Sequence, residues 1–375
     1  MDKPEQQLEQ SEISPSYDPW DPLRSLARYG KHQLTSVELT VTHLCNMRCE
    51  HCAVGDGLVL QEGSMLPVQD VIRRLEEVEH LETISITGGE PTYRLETVRG
   101  IIIPLLRYAR ERGIRSQLNS NITLDLARYE EIAPYLDVMH ISHNYVDAEQ
   151  FHTIGFANSD RPAGAAAATR LYERMMNNAA ALSRGGLFIS AESMINYRTH
   201  NRLGDIHKLV AEIGCRRHEI HPMYPSACAQ HLPVISLGQL REAIHKLLDA
   251  RDPALWMLFG TLPFFGCSTV PEDRDLIRRL NAEPAVTVRN DPDGRNRLNI
   301  SMFSGDVHVT DFADLPALGN IRADRLDEVF RSWLHHPLAR SVHCHCPSAG
   351  CCGPNLLVKD MYYRDTDFTR RKADL

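Results

Sequence analysis

Between residues 36 and 224 six apolar, β-branched runs alternate with five stretches of helical spacing, and this rhythm limits the possible folds more than any other feature. The strand-like runs cover 37–42, 83–87, 115–121, 138–142, 187–195 and 218–224. The helical stretches cover 67–80, 95–112, 125–135, 165–183 and 205–213; in the first, Val68, Val71, Ile72, Leu75 and Val78 share one side. Strands joined by helical crossovers form a parallel sheet with helices outside it, so the expected class is α/β. No longer repeat overlays the rhythm. A further helix is expected at 237–250, with Ser236 placed to cap it.

From Trp256 the texture changes. Strands are expected at 285–289, 298–303 and 306–311, separated by Asp291-Pro-Asp-Gly294 and Ser304-Gly305, which read as antiparallel hairpins. A helix at 324–334 places Leu326, Val329, Phe330 and Trp333 on one side. The expected division is therefore 1–35, a flexible tail to about residue 20 and then a short helix; 36–260, the α/β body; and 261–375, a smaller α+β domain. The 375 residues are enough for a large domain and a smaller one, and 43% hydrophobic with 24% charged residues is ordinary for a globular protein. The net charge of -8, without a basic run, argues against nucleic acid as a partner. No apolar run approaches transmembrane length, and the polar N-terminus is unlike a signal peptide, so a cytoplasmic, membrane-free protein is expected.

Ten cysteines without an export signal read as metal ligands and not as disulfides. Three of them, Cys45, Cys49 and Cys52, form a C-x3-C-x2-C pattern on the loop that leaves the first strand, at the end where α/β proteins keep their chemistry. Three thiolates each hold one iron of a cubane and leave the fourth iron with open positions, whereas a four-cysteine cluster is closed and only carries electrons. The residue types alone also allow a zinc knuckle completed by His43 or His51. The second strand runs into Thr87-Gly-Gly-Glu-Pro91, where glycines permit close backbone approach and a carboxylate can accept from an ammonium group.

Together the cysteine loop and the Gly88–Pro91 motif resemble the radical S-adenosylmethionine (SAM) superfamily. The resemblance implies a partial (β/α)6 barrel and a 4Fe–4S cluster whose open iron chelates SAM and cleaves it to a 5′-deoxyadenosyl radical. It carries Gly88, Gly89 and Glu90 over as holders of the SAM amino group. Asn119, in Gln117-Leu-Asn-Ser-Asn121, matches the Asn of the family's third strand; Ser142 matches a ribose-binding Ser, although His143-Asn144 stands where many relatives have Asp-Gly. Glu219-Ile-His-Pro-Met223 resembles the segment flanking the adenine, which brings in Met223, while His221 is expected to be a core or adenine-side residue and not catalytic. From alternation on the fifth strand, Ser190 and Glu192 either line the barrel as a SAM or substrate site or face the helices.

Near the C-terminus Cys344, Cys346 and Cys351 form C-x-C-x4-C. Cys344 and Cys346 share one face of an extended segment, Cys351 and Cys352 diverge, and the isolated Cys267 is the candidate fourth ligand. This tail resembles the SPASM and twitch domains of radical SAM enzymes and, with the first two motifs, the radical SAM/CxCxxxxC-motif (YfkAB-like) proteins, which implies a second, auxiliary 4Fe–4S cluster. Cys215 and Cys228 are expected to be buried hydrophobes outside any cluster. The implied activity is hydrogen abstraction from a peptide or small molecule, with an electron donor such as flavodoxin or ferredoxin. No catalytic side chain is legible. A second reading is a non-catalytic iron–sulfur or zinc protein serving electron transfer or regulation.

Overall fold

The computed structural model describes residues 12–225, 227–290, 293–310, 315–342, 344, 346 and 350–370. Its eleven strands form one sheet. They are β1 (Ser36–Thr40), β2 (Thr83–Thr87), β3 (Arg115–Ser120), β4 (Val138–Ser142), β5 (Phe188–Ile195), β6 (Arg217–Pro222), β7 (Trp256–Gly260), β8 (Val286–Arg289), β9 (Arg297–Ser301), β10 (Asp306–His308) and β11 (Gly319–Asn320). The order is β11-β10-β9-β1-β2-β3-β4-β5-β6-β7-β8, parallel from β9 through to β8, with β10 and β11 antiparallel at one edge. The sheet curls but does not close: a partial barrel, extended by a C-terminal region.

The six expected strands are β1 to β6. The expected hairpin between 285–289 and 298–303 is not formed: β8 pairs in parallel with β7, and β9 pairs in parallel with β1 on the far side of the barrel. Two short strands of the same local pattern pair wherever burial is better, and each here completes an open sheet edge. The hairpin joining β9 to β10 is present. The sheet thus continues past residue 260, where the sequence texture changes.

Alternation divides the sheet cleanly. Val37, Leu39, Ile84, Ile86, Leu118, Met139, Ile141, Ile189 and Ala191 are buried with the helices in the main core. The opposite parity is polar above and apolar below. Val138, Phe188, Trp256 and Leu258 close the barrel's lower end together with Ile13 and Trp20. Trp20 donates from Nε1 to Ser85 Oγ at 3.1 Å, and Asp18 pairs with Arg289 at 2.8 Å. This corrects the expectation of a flexible tail to residue 20: residues 13–20 plug the barrel floor, because a half-open barrel leaves apolar side chains uncovered there. The expected short helix follows as Pro22–Tyr29, with the Asp21 side chain accepting from Leu23 N and Gly30 in the left-handed conformation after it. The helix Leu237–Ala250 begins with a capping box between Ser236 and Gln239, as its sequence indicates.

On the outer layer, His207 and His218 are buried and linked Nδ1 to Nδ1 at 2.9 Å. His207 Nε2 accepts from Asp252 N and His218 Nε2 meets Ser193 Oγ, an arrangement satisfied by two neutral rings of defined tautomer. Burial pushes His207 down to about 4; burial and then the neighbouring ring push His218 well below the usual histidine range. The unfolded chain takes up these protons near pH 6.5 and the folded chain does not, so stability holds above that pH and falls below it. The metal-free chain is expected to lose about 1.4 kcal/mol per pH unit for each ring between about pH 6.5 and 4, read as a falling thermal midpoint that His207→Gln flattens. A midpoint unchanged across that window would contradict the assignment.

Candidate active site

Residues 41–54 leave the end of β1 as a loop that is gripped from three sides. Val41 N bonds Thr87 O, Gly89 N bonds Thr42 O at 2.9 Å, and Glu90 N bonds Leu44 O at 2.7 Å. The helix Ala148–Gly155, which the sequence reading missed, takes Arg48 N and Glu50 N on the carbonyls of Gly155 and Ile154. Glu50 is anchored by Tyr197 and by both Nε (2.6 Å) and Nη2 (3.0 Å) of Arg198.

The loop presents Cys45, Cys49 and Cys52, each half-buried and each with a donor at its sulfur. Met47 N lies 3.4 Å from Cys45 Sγ and Asn121 Nδ2 lies 3.8 Å from it. The Tyr145 hydroxyl bonds Cys49, and the Val54 amide bonds Cys52. Burial pushes Cys45 up to about 12, Cys52 to about 11, and Cys49 well above its usual range. Thiols held protonated by burial, yet aimed at by N–H and O–H groups, fit sulfurs whose charge a metal cluster compensates. Among the described residues no three His, Cys, Asp or Glu side chains are drawn in to the spacing of a single ion.

Gly88 and Gly89 are explained by proximity. A Cβ on Gly88, whose φ is +143°, would stand 2.3 Å from Thr42 O, and one on Gly89 would stand 2.3 Å from Leu44 O. Glu90 is fully buried, and its carboxylate accepts from Thr92 N, Thr92 Oγ1, Ser120 Oγ and Asn121 N at 2.6–3.1 Å. The acid thereby ties the end of β2 to the end of β3.

The barrel mouth is a polar cavity bounded by His51 and Ala53 of the cysteine loop, Asn119 on β3, Glu192 and Met194 on β5, and Met223 after β6. Ser142 is exposed at the top of β4, level with Glu192. Asn119 accepts from Gln117 Nε2. Ser190 shares the cavity-facing parity of Glu192, which settles the direction left open by the sequence. It is fully buried, however, 3.1 Å from His140 Nδ1 and 2.8 Å from Arg217 Nε, and so braces the lumen without reaching a ligand at the mouth. Asn144 bridges Met194 N at 2.7 Å and His51 Nε2 at 3.4 Å.

Beneath the mouth lies a charge network that the sequence reading did not foresee. Glu219 pairs with Arg289, with Arg217 at 3.2 Å and with His221 at 2.9 Å; His140 pairs with Glu192 at 3.1 Å. Burial would raise the Glu219 pKa, but Arg289 and Arg217 hold it well below the carboxylate range. Burial would lower the His221 pKa, but Glu219 and Glu192 raise it. Partners from distant elements supply these charges, so no local motif announces them. His221 does line the cavity.

At the C-terminal region Cys267, Cys344 and Cys351 pack in one cluster with Phe265, Val358 and Phe368. Cys346 and Cys351 form an antiparallel bridge, and Gly353 N lies 3.3 Å from Cys351 Sγ. The Cys351 thiol, pushed up to about 12 by burial, has Cys344, Cys267 and Cys346 as its charge neighbours. The four expected cysteines are thus neighbours, although among the described residues no three such side chains are drawn in to the spacing of a single ion. His343, His345 and residues 347–349 lie outside the described residues. Cys215 is buried as expected. Cys228 is not remote: its Sγ donates to Cys52 O at 3.4 Å beneath Gly55, which has no room for a Cβ there.

A partial parallel barrel with three thiols on the loop after its first strand defines the class, and the comparisons agree. The chain belongs to the radical SAM superfamily: that family's model matches residues 39–192, a YfkB-like domain model matches residues 223–373, and the relative below spans nearly the whole chain. The chain is 52% identical over 362 residues to "Putative protein YfkA" of Bacillus subtilis (strain 168), covering 96% of this chain and 97% of that one. A "Probable GTP 3',8-cyclase" of Saccharolobus islandicus is 29% identical over 131 residues, 34% of this chain and 40% of that one. Two solved structures share the fold. Streptococcus suis SuiB bound to S-adenosylmethionine has a TM-score of 0.58 at 16% identity, covering 90% of this chain and 74% of that one. Native anSMEcpe with bound AdoMet has a TM-score of 0.56 at 14% identity, covering 79% and 80%. No helix among the described residues is long and apolar enough to cross a membrane.

Proposed function

We propose that the chain is a cytoplasmic radical SAM enzyme that abstracts hydrogen from a peptide, drawing electrons from a carrier such as flavodoxin or ferredoxin. The observation that carries this is that Cys45, Cys49 and Cys52 share the loop after β1 with His51 and Ala53, which border the polar cavity of the barrel mouth. When bound there, a 4Fe–4S cluster with an open iron supplies the electron that cleaves SAM to methionine and a 5′-deoxyadenosyl radical. The chain's own residues position and exclude. Gly88 and Gly89 hold their backbone against the cysteine loop, Asn119 and Met223 border the space for the nucleoside, Ser142 stands exposed at the strand end level with Glu192, and the barrel floor is sealed by Trp20. Cys267, Cys344, Cys346 and Cys351 would hold the auxiliary cluster, a closed site suited to electron transfer.

A peptide substrate is supported by two structures of the same fold, SuiB bound to precursor peptide SuiA and anSMEcpe with the Cp18Cys peptide. Anoxically reconstituted, reduced protein given SAM is expected to release 5′-deoxyadenosine, measured by chromatography. With both clusters loaded and none formed, the chain would be an electron-transfer or regulatory protein.

A further inference from the structure

Arg295, between β8 and β9, is the most anomalous charge in the molecule. It is 1% exposed, and its Nε and Nη1 find no hydrogen-bond partner among the described residues. Its one hydrogen bond among the described residues is Nη2 to Ala339 O, at 3.4 Å. No carboxylate forms an ion pair with it among the described residues, unlike Arg217 and Arg289 in the barrel. The ionisable groups whose charge acts on it are Cys352, Asp293 and Cys344. Asp293 is already engaged by Leu356 N at 2.6 Å. An uncompensated buried charge costs several kcal/mol, so a guanidinium held this way marks the place of an anion. Cys344 is the link, for it neighbours both Arg295 and the Cys351 set.

Resting on the auxiliary-cluster reading above, we propose that Arg295 is the counter-charge of that cluster. Its Nε and Nη1, without a hydrogen-bond partner among the described residues, would donate toward that cluster. A cubane with four thiolates carries net negative charge, and reduction adds one more. A fixed guanidinium with no other partner favours the reduced form and raises the potential. Cys352, buried beside Arg295, belongs to the same wall and is not a ligand.

The test uses the full chain with Cys45, Cys49 and Cys52 all replaced by Ala, so that only the C-terminal site loads. After anoxic reconstitution this protein is expected to hold about four irons, and Arg295→Met is expected to retain them. In an electron paramagnetic resonance redox titration, Arg295→Met is expected to lower the reduced-to-oxidised ratio at fixed potential at least about tenfold. That is a fall of about 59 mV for one electron, and Arg295→Lys should recover part of it. Without metal the sign reverses: Arg295→Met is expected to raise the thermal midpoint, because it removes an unpaired buried charge. Four irons with an unchanged midpoint potential, or a destabilised metal-free Arg295→Met chain, would overturn the proposal alone. No iron in the triple-alanine protein would remove the auxiliary cluster and this proposal together.

Discussion

Cys49→Ala is expected to abolish 5′-deoxyadenosine formation and to cut bound iron from about eight to about four per chain. Cys49 is the middle ligand of the proposed set, and its sulfur takes the Tyr145 hydroxyl, so no water-filled position stands ready to replace it. Two thiolates do not hold a cubane with one open iron, and without that iron SAM has nothing to chelate. Cys267, Cys344 and Cys351 lie in a different cluster of packed residues, so the iron proposed for the C-terminal site is expected to remain. Cys228 lies beside Cys52 and is placed to act as a surrogate, so the Cys49→Ala, Cys228→Ala double variant is the control. Iron and sulfide analysis with product chromatography reads both effects. Full iron and undiminished cleavage in the double variant would refute the assignment of the loop.

The strand–helix rhythm was legible because its period is local: each of β1 to β6 carries its own alternation. The cysteine loop was legible because all three sulfurs come from one short segment. What was not legible depends on partners far away in the chain. The strand at Arg297–Ser301 has the same pattern whether it pairs with its neighbour in sequence or, as it does, with β1. The turn-like Asp291-Pro-Asp-Gly294 favoured the local choice. The helix Ala148–Gly155 is only eight residues long, and its one clear signal was Asp147, whose side chain caps Gln150 N.

The same rule governs the site. The Gly88–Pro91 motif singled out Glu90 but not its donors Ser120 and Asn121, which come from the end of the next strand. Asn121, not singled out beforehand, reaches Cys45 and Asn46 from that strand end. Arg217 and Glu219 are adjacent same-face residues of β6, yet the charges that make them tolerable in the lumen, Arg289 and Asp18, come from opposite ends of the chain. Burial of ionised groups is a property of the closed network, which one segment does not reveal.

Gly89→Ala separates positioning from ligation, since it leaves every cysteine in place. Its new Cβ would meet Leu44 O at 2.3 Å and Leu44 C at 2.7 Å, both backbone atoms of the residue before Cys45. Ordinary contact begins near 3.4 Å, so the two backbones must part by about an ångström. That separation stretches the bonds from Gly89 N to Thr42 O and from Glu90 N to Leu44 O, each worth about 1 kcal/mol in ordinary circumstances. Leu44 cannot move without carrying Cys45, and the first cluster is expected to be lost or bound in a fraction of chains, with cleavage falling in proportion to the iron. Gly88→Ala should be at least as severe, because its contact with Thr42 O is equally short and its φ of +143° strains any L side chain. Iron at the C-terminal site should remain in both variants, measured in the presence and absence of Cys344→Ala. A Gly89→Ala protein with wild-type iron and cleavage would mean that the cysteine loop is not seated on this strand end as described.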